Sequence, residues 1–209
     1  MIQFNEAHIG YANPPLIQIK DLTLNEGNVY ILVGKNGSGK STLLRTIIKQ
    51  EKMLSGSIVL DNLPIDSIKN NAIALFVAFV PTAFPQVDFL KVRDFVGLGR
   101  TPYTNALGRF SPEDNSIVDQ AITTLGITHL KDKFTSELSD GERQLAAVAK
   151  AIAQETKIII LDEPTAFLDY SNKKKVLNIL KDIALKMNKC IIISSHDIEL
   201  SIEAECPFL

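Results

Sequence analysis

Short apolar runs alternate with amphipathic patterns along the chain, and the two kinds of pattern predict different elements. Strands are predicted for six apolar runs, at residues 18–24, 29–33, 57–60, 73–80, 157–161 and 190–194. The last two contain unbroken stretches of Ile and Leu, which are typical of central parallel strands buried on both faces. The alternation of such strands with helices favours an α/β fold with a largely parallel sheet.

Helical patterns occur in four places. A helix over residues 40–49 follows a Gly-rich turn. A second helix begins after Ser111, which is a good N-cap residue, with Pro112 at the first helical position and acids in the first turn. Two more helices, over residues 142–154 and 176–187, carry their apolar residues on one face.

The spacing of these patterns predicts how the chain is organised. Strand patterns almost disappear between residues 82 and 155, where helical patterns dominate. We therefore expect a sheet core built from residues 1–82 and 156–209, with a helical subdomain, residues 83–155, inserted into it. A run of three lysines, residues 173–175, is interpreted as a solvated helix face rather than a binding patch.

Composition and charge exclude several classes of protein. The 209 residues carry a net charge of −2 and are 45% hydrophobic, which argues against disorder and against binding nucleic acid through overall charge. The longest apolar run, residues 72–80, falls far short of the about 20 residues that span a bilayer. No secretory signal is visible, and Cys190 and Cys206 form no metal-binding cluster. These features predict a soluble, cytoplasmic protein.

A Gly-rich segment between the strand at 29–33 and the helix from residue 40 matches the pattern of a phosphate-binding loop. Its glycines let backbone N–H groups turn towards phosphate oxygens, and the helix N-terminus adds partial positive charge. Lys40 adds a full charge for the β and γ phosphates, and the Ser41 hydroxyl is placed to bind Mg²⁺. A simple Gly-rich turn is the alternative, which a Lys-Ser pair after three spaced glycines disfavours. The candidate nucleotide-binding residues here are Gly34, Asn36, Gly37, Ser38, Gly39, Lys40, Ser41 and Thr42.

Two acids follow the apolar strand at 157–161. In phosphate-loop enzymes the Asp at such a strand end holds Mg²⁺, and here that residue is Asp162. Adjacent strand residues point to opposite sides, so Glu163 is free for a different role. We assign it as the general base for the attacking water. The alternative is a strand end with two solvated carboxylates.

Residues 138–144, Leu-Ser-Asp-Gly-Glu-Arg-Gln, precede the helix at 142–154. Ser139 followed three residues later by Glu142 predicts a capping box. The segment also resembles the signature Leu-Ser-Gly-Gly-Gln of ABC-type ATPases, and it lies just upstream of Asp162 as that family requires. Residues 166–169 resemble the D-loop of the family, His196 its switch histidine, and Tyr11 the aromatic residue that stacks on adenine.

This resemblance runs from Tyr11 to His196 and implies a phosphate-loop ATPase core with a small antiparallel part near the N-terminus. ABC domains work as head-to-tail dimers with two ATP molecules between them, so a homodimer that uses ATP and Mg²⁺ is implied. Ser139 and Gly141 would then approach the γ phosphate of the partner's ATP, and Asp169 would belong to the same site. His196 would orient the γ phosphate and water. The candidate catalytic residues are therefore Glu163, His196 and Lys40.

Residues 92–103 and 107–109 resemble the corresponding segments in the ATPases of iron-siderophore, haem and cobalamin importers. The resemblance implies that residues 82–109 contact a membrane permease, which would hold the chain on the cytoplasmic face of the membrane. The transported molecule would not touch this chain, and no nucleic acid is expected as a partner.

The chain departs from the family pattern in three places. Thr82 stands where the family has a Gln, which weakens its candidacy as a metal ligand, and Gln86 is a possible substitute. Asp140 and Glu142 place two extra acids near a triphosphate, which is unfavourable by Coulomb's law unless both are occupied elsewhere. The chain also stops soon after His196, where relatives usually continue. We therefore expect a trimmed C-terminal end or a core without its last elements.

The sequence predicts the ATP-hydrolysing subunit of an ABC importer, with a metal chelate as the transported substrate. A soluble ABC ATPase of repair or translation is one alternative, although neither long coiled coils nor a second cassette is seen. A nucleotide switch that dimerises without hydrolysis is another, favoured by Thr82 and Asp140 and disfavoured by Glu163 and His196. ATP turnover, compared with that of Glu163→Gln, distinguishes the switch from the two ATPases.

Overall fold

Two four-stranded sheets frame the molecule in the computed structural model, which describes residues 1–82, 87–104, 108–166, 168–197 and 206–209. The antiparallel sheet has the order β2-β1-β4-β5, and its strands are β1 (Ile2–Ile9), β2 (Ile17–Leu24), β4 (Ser55–Leu60) and β5 (Leu63–Pro64). The parallel sheet has the order β3-β8-β7-β6, and its strands are β3 (Val29–Val33), β6 (Val77–Val80), β7 (Ile158–Asp162) and β8 (Cys190–Ser195). The predicted α/β fold with a mostly parallel sheet and a small antiparallel part is confirmed.

The inner strands of the parallel sheet, β7 and β8, are the two that were predicted to be central. Every residue of β8 is buried, as is every residue of β7 except Asp162 at its end. In the parallel register, Val33 lies opposite Ser195 and Asp162 lies opposite Ser194. The carboxyl ends of β3, β7 and β8 therefore meet at one edge of the sheet, and the polar residues that follow them are brought together there.

The sequence pattern did not predict β1, and its geometry explains why. The buried residues Ile2 and Phe4 alternate with their neighbours, but the pairing with β4 shifts between Asn5 and His8. Glu6 has a φ of 46°, the conformation of a bulged residue. The bulge moves the next buried residue to position 7, so the period of two that marks a strand is broken in the sequence.

The strand predicted at residues 73–80 is confirmed in its second half and wrong in its first half. Residues Asn70–Leu75 form a 3-10 helix, and only Val77–Val80 pair with β7. β7 begins at Ile158, opposite Val77, so the residues before Val77 have no neighbouring strand there. Their backbone groups bond locally instead: Ala72 N–H donates to Lys69 O and Phe76 N–H to Ile73 O.

The described part of the chain contains five α-helices beside the sheets: α1 (Lys40–Ile47), α2 (Val92–Gly97), α3 (Pro112–Thr124), α4 (Asp140–Ala153) and α5 (Tyr170–Lys186). The short α2, which continues into a 3-10 helix at Leu98–Tyr103, was not predicted. Three α-helices, α2 to α4, lie between β6 and β7 and pack on one another. Within the described residues, no helix has both the length and the apolar character needed to cross a membrane.

Two polar side chains, those of Gln154 and Arg100, join the end of α4 to its surroundings. The Gln154 side-chain Nε2 donates to Ala74 O at 2.6 Å and to Val77 O at 3.1 Å, which links α4 to the start of β6. The buried Arg100 donates to Asp114 Oδ1 at 2.8 Å and to Ala153 O at 2.9 Å, and so ties α3 to α4. These contacts join the three helices to one another and to the parallel sheet.

Candidate functional site

The Gly-rich loop predicted to bind phosphate runs from the end of β3 to the start of α1. Gly37 and Gly39 have φ angles of 81° and 95°, which side-chain-bearing residues rarely adopt. Gly39 is the N-cap residue of α1, so the loop turns sharply and the unpaired N–H groups of the first helical turn face its hollow. The loop therefore offers backbone donors and a helix N-terminus to an anion.

Lys40, the first residue of α1, folds back over this loop. Its Nζ donates to Gly34 O at 2.6 Å and to Lys35 O at 3.2 Å, and the residue is only 7% exposed. Carbonyl groups of the loop thus hold the ammonium group at the hollow. A phosphate that enters would meet a full positive charge in addition to the backbone donors.

Ser41 and Asp162 are 121 residues apart in the sequence but adjacent in the fold. Ser41 Oγ donates to Asp162 Oδ1 at 3.4 Å. The same carboxylate oxygen accepts the Ser194 hydroxyl at 2.6 Å, and Ser194 Oγ accepts the Glu163 N–H at 2.8 Å. A hydroxyl and a carboxylate next to a phosphate loop are the donors that Mg²⁺ uses when it is also bound by phosphates. The chemistry of this donor set fits such a cation.

Glu163 and His196 meet beside this pair. His196 Nδ1 lies 3.6 Å from Glu163 Oε2, and the two side chains are 54% and 24% exposed. Glu163 has a φ of 48°, an uncommon backbone conformation for a residue other than Gly, Asn or Asp. This turn directs the chain away from β7 directly after Asp162, so the two neighbouring acids occupy different surroundings.

A cavity of about 450 Å³ opens above the loop. It brings together most of the predicted nucleotide-binding residues and one that the sequence analysis missed, Leu16. Its lining residues are Tyr11, Leu16, Asn36, Gly37, Gly39, Lys40, Ser41, Thr42 and Glu163. Tyr11 is 65% exposed, and its hydroxyl lies 3.4 Å from Thr42 Oγ1. The lining of the cavity therefore combines the Lys40 ammonium, the Glu163 carboxylate, an aromatic ring and an aliphatic side chain.

The segment at 138–144 forms the predicted capping box at the start of α4. Ser139 Oγ accepts the Glu142 N–H at 3.3 Å, and the Ser139 N–H donates to Glu142 Oε2 at 2.9 Å. The bond from the Ser139 N–H, and then a bond of 2.8 Å from the Ser139 hydroxyl to the same Oε2, lower the pKa of the Glu142 carboxyl. Asp140 pairs with Arg143 at 3.0 Å. Both extra acids are thus engaged within their own segment. Neither Ser139 nor Gly141 is among the residues that line the cavity described above.

Asp169 and Thr82 also lie away from this cavity. Asp169 caps α5 by accepting the Asn172 N–H at 2.9 Å. Thr82 is half-buried after β6, and the contacts of the described residues include no hydrogen bond from it to Ser41 or Asp162. Its assignment as a metal ligand stays a prediction. Gln86, the possible substitute, and Phe167 lie outside the described residues.

Comparisons with known proteins extend over most of the chain. The family model for ABC transporters matches residues 17–166. An achromobactin transport ATP-binding protein from Dickeya dadantii is 36% identical over 200 residues, which are 96% of this chain and 74% of the relative. An iron(3+)-hydroxamate import ATP-binding protein from Bacillus subtilis is 30% identical over 190 residues, 91% of this chain and 71% of the relative. The dimeric structure of MJ0796, a bacterial ABC transporter cassette, has a TM-score of 0.78 at 25% identity and covers 97% of this chain and 90% of that one.

Proposed function

The chain belongs to the ABC transporter family of ATP-binding proteins, whose members hydrolyse ATP, and on that premise we propose that it powers a metal-chelate importer. The relatives named above serve in achromobactin transport and iron(3+)-hydroxamate import. They support import of a metal chelate, such as an iron-siderophore, haem or cobalamin, as the process that ATP hydrolysis here drives.

In this proposal ATP lies in the 450 Å³ cavity, whose lining offers a cation to the phosphates and apolar groups to the base. The triphosphate lies on the N–H groups of residues 34–42, and the Lys40 ammonium exchanges the carbonyls it now contacts for phosphate oxygens. The adenine stacks on Tyr11, and Leu16 packs against the base or ribose. Thr42 Oγ1 supports this end of the site through its contact with the Tyr11 hydroxyl.

Ser41 and Asp162 are the residues that would hold Mg²⁺. Bound there, the cation would neutralise charge that develops on the transferred phosphoryl group. Ser194 positions Asp162 by its hydrogen bond of 2.6 Å to Oδ1, and it also positions the backbone of Glu163. Thr82 is a weaker candidate for the same cation. Its hydroxyl can coordinate, but its side chain reaches less far than the Gln found at this position in the family.

Glu163 acts as the general base in this mechanism. Its carboxylate accepts a proton from the attacking water as the water adds to the γ phosphate in line with the leaving oxygen. His196 lies next to that carboxylate, at 3.6 Å, and orients the water and the γ phosphate. Lys40 stabilises the charge on the phosphate oxygens throughout.

A second copy of the chain completes the site. Ser139 and Gly141 stand at the N-terminus of α4 but do not line the cavity of their own chain. In a head-to-tail dimer, as the family resemblance implies, they approach the γ phosphate bound to the partner, and Asp169 joins the same interface. The dimeric form of the related MJ0796 cassette supports this arrangement. The pairing of Asp140 with Arg143 reduces the cost of an acid near a triphosphate.

The permease contact is assigned to the segment at 82–109. Its described part presents unusually exposed apolar side chains, with Phe89 86%, Leu98 50% and Tyr103 42% exposed. The Phe89 ring packs nearly perpendicular to the Phe134 ring, at 6.0 Å between centroids, and most of its surface stays exposed for a partner. Binding there would hold the protein on the cytoplasmic face of the membrane.

The observation that carries this proposal is the contact of Ser41 with Asp162 beside a cavity entered by Lys40. The test is ATP turnover by the purified protein and by Glu163→Gln. Wild type should hydrolyse ATP, whereas the variant should bind ATP, lose about 100-fold or more in kcat and accumulate as an ATP-bound dimer. A wild-type protein that dimerises with ATP without turnover would instead be a nucleotide switch.

The transport part has a separate test in cells that lack this chain. Wild type should restore uptake of a radioactive metal chelate under metal limitation, and Glu163→Gln should not. Unchanged uptake of iron-siderophore, haem and cobalamin in the deletion strain would contradict import of this class and leave the ATPase assignment standing.

A further inference from the structure

The lysine run at the start of α5 contains one residue that does not fit the interpretation as a solvated face. Lys174 and Lys175 are exposed, but Lys173 is partly buried. Its Nζ lies 3.0 Å from Asp197 Oδ2, and the two side chains are only 19% and 25% exposed. A second ion pair on the same helix, Lys186 with Asp182, has side chains that are 71% and 65% exposed. The two pairs therefore differ sharply in how far water screens them.

The position of Lys173 opposes the electrostatics of its own helix. A helix N-terminus carries partial positive charge and favours acids, yet the first turn of α5 contains none. Lys173 closes that turn by donating its backbone N–H to Asp169 O at 2.9 Å. The N-cap Asp169 carboxylate offsets part of that dipole, and Asp197 compensates the Lys173 ammonium directly at 3.0 Å. Residues that break a local rule in this way are often found at functional sites.

The partner residue belongs to the segment that carries the switch histidine. Asp197 follows His196 directly, and its backbone N–H donates to Ser195 Oγ at 3.0 Å. Ser195 is the last residue of β8 and lies opposite Val33 in the sheet. The segment is thus held by the sheet on one side and by Lys173 on the other.

His196 itself has little packing to hold it in place. Its side chain is 54% exposed, and its Nδ1 lies 3.6 Å from Glu163 Oε2, which is longer than a hydrogen bond. The distance between these two groups therefore depends on the backbone of the segment, and a small movement of that backbone decides whether they meet.

We propose that Lys173 is a positioning residue for ATP hydrolysis, which holds the His196 segment in place through its ion pair with Asp197. This inference rests on the proposed role of His196. Lys173 contacts Asp169 through its backbone and Asp197 through its side chain, so it also couples the start of α5 to the switch segment. A displacement of either one is transmitted to the other.

The test compares Lys173→Met with Lys186→Met, which removes the exposed ion pair of the same helix. Lys173→Met should lower kcat about tenfold and leave KM for ATP within about twofold, because positioning acts on the chemical step. Lys186→Met should keep wild-type kcat, and Lys173→Arg should recover most of it. A kcat for Lys173→Met equal to that of Lys186→Met, or an Arg variant as slow as the Met variant, would overturn the inference.

Imidazole NMR signals give a readout that does not need turnover. The chain has three histidines, and His196→Ala assigns the signal of the switch residue. In Lys173→Met only the His196 signal should shift, with those of His8 and His129 unchanged. A shift of all three would indicate general loss of structure and an unchanged His196 signal would show no positioning, so either overturns the inference. If His196→Ala hydrolyses ATP at the wild-type rate, the proposed role of His196 in hydrolysis fails. The His196 signal in Lys173→Met would still show whether Lys173 holds the His196 side chain in place.

Discussion

Ser194 and Asp162, neighbours across β7 and β8, share a hydrogen bond of 2.6 Å from the Ser194 hydroxyl to Asp162 Oδ1. The same hydroxyl oxygen accepts the Glu163 N–H at 2.8 Å. One side chain therefore orients the carboxylate assigned to Mg²⁺ and the backbone of the residue assigned as base. The Asp162 carboxylate and the Glu163 backbone are therefore oriented together.

Replacing Ser194 with Ala should impair Mg²⁺-dependent ATP hydrolysis more than it destabilises the fold. Asp162 loses a hydrogen bond that orients it, and such losses next to a metal ligand cost about tenfold or more in metal affinity or activity. The Glu163 N–H also loses its partner, which costs about 1–2 kcal/mol of unfolding free energy. The Mg²⁺ concentration at half-maximal ATPase rate should rise, as measured by titration at saturating ATP. Ser67→Ala, which removes an exposed hydroxyl bonded to Pro64 O, is the control.

Lys40→Met should weaken ATP binding by about tenfold or more, because a charge-assisted contact to the phosphates is lost. Lys35 provides a matched control, since it lies in the same loop but is exposed. Lys35→Met should change the affinity by about threefold or less. Titration calorimetry with a non-hydrolysable ATP analogue measures both. Equal losses in the two variants would mean that only the net charge of the loop matters.

Thr82→Gln should raise the ATPase rate or lower the Mg²⁺ requirement, because the longer amide side chain reaches further towards the cation and water. Thr82→Ser, which keeps the hydroxyl without adding reach, is the control. If Thr82→Gln leaves both the rate and the Mg²⁺ dependence unchanged, position 82 has no part in this chemistry.

Stability should depend on Asp114 and on pH. Hydrogen bonds from the Ser111 backbone, the Arg100 side chain and the Ser111 hydroxyl lower the pKa of Asp114 from 3.8 to about 2. A carboxyl whose pKa is lowered by folding stabilises the fold above its unfolded pKa, and this contribution is lost as the pH falls through the folded value.

Asp114→Asn should therefore unfold more easily than wild type at neutral pH, by about 2 kcal/mol. The difference in unfolding free energy should shrink as the pH falls from about 4 towards 2. Urea unfolding over this pH range measures it. The exposed Asp182→Asn should differ from wild type by about 0.5 kcal/mol or less at each pH. A pH-independent loss in Asp114→Asn would refute the electrostatic explanation.

Two glycines near α4 should respond differently to replacement by Ala. A Cβ at Gly99 would lie 2.3 Å from Lys150 O, a backbone atom that is held in α4. A Cβ at Gly97 would meet Phe110 Cε2 at 2.7 Å, the end of a side chain that can rotate away. Gly99→Ala should cost about 1–3 kcal/mol of unfolding free energy. Gly97→Ala should cost less, because Ala also favours the helix. Urea unfolding measures both variants. If both lose the same unfolding free energy, the α4 backbone moves aside as readily as the Phe110 ring.

The parts of the fold predicted from the sequence are those whose pattern is local. β3, β7 and β8 are short runs of buried residues, and the loop before Lys40 has a distinctive Gly-rich composition. These features can therefore be predicted without knowing which distant residues they contact. β1 was missed because the bulge at Glu6 breaks its alternation. Residues 70–75 were assigned to a strand because nothing in their sequence says where β7 begins.

The candidate site shows the same division. Lys40, Asp162 and Glu163 stand in motifs and could be assigned from the sequence. Ser194 is the last residue of a predicted strand and was given no role, because its role depends on lying opposite Asp162 in the sheet. Leu16 was missed because a lone Leu in a loop resembles many others. The strand pairing and the fold of the N-terminal hairpin give these two residues their roles.

The pairing of β3 with β8 has a consequence for the order of events during synthesis. Val29 and Tyr30 in β3 lie opposite Ile191 and Ile192 in β8, more than 150 residues later in the chain. A growing chain displays the phosphate loop long before it displays β7 and β8, the strands that bring Asp162 and Ser194 beside that loop. Contacts between such distant segments form late and slowly. A nascent chain therefore holds its loop without the edge proposed to bind Mg²⁺ until β8 has been made and has paired with β3.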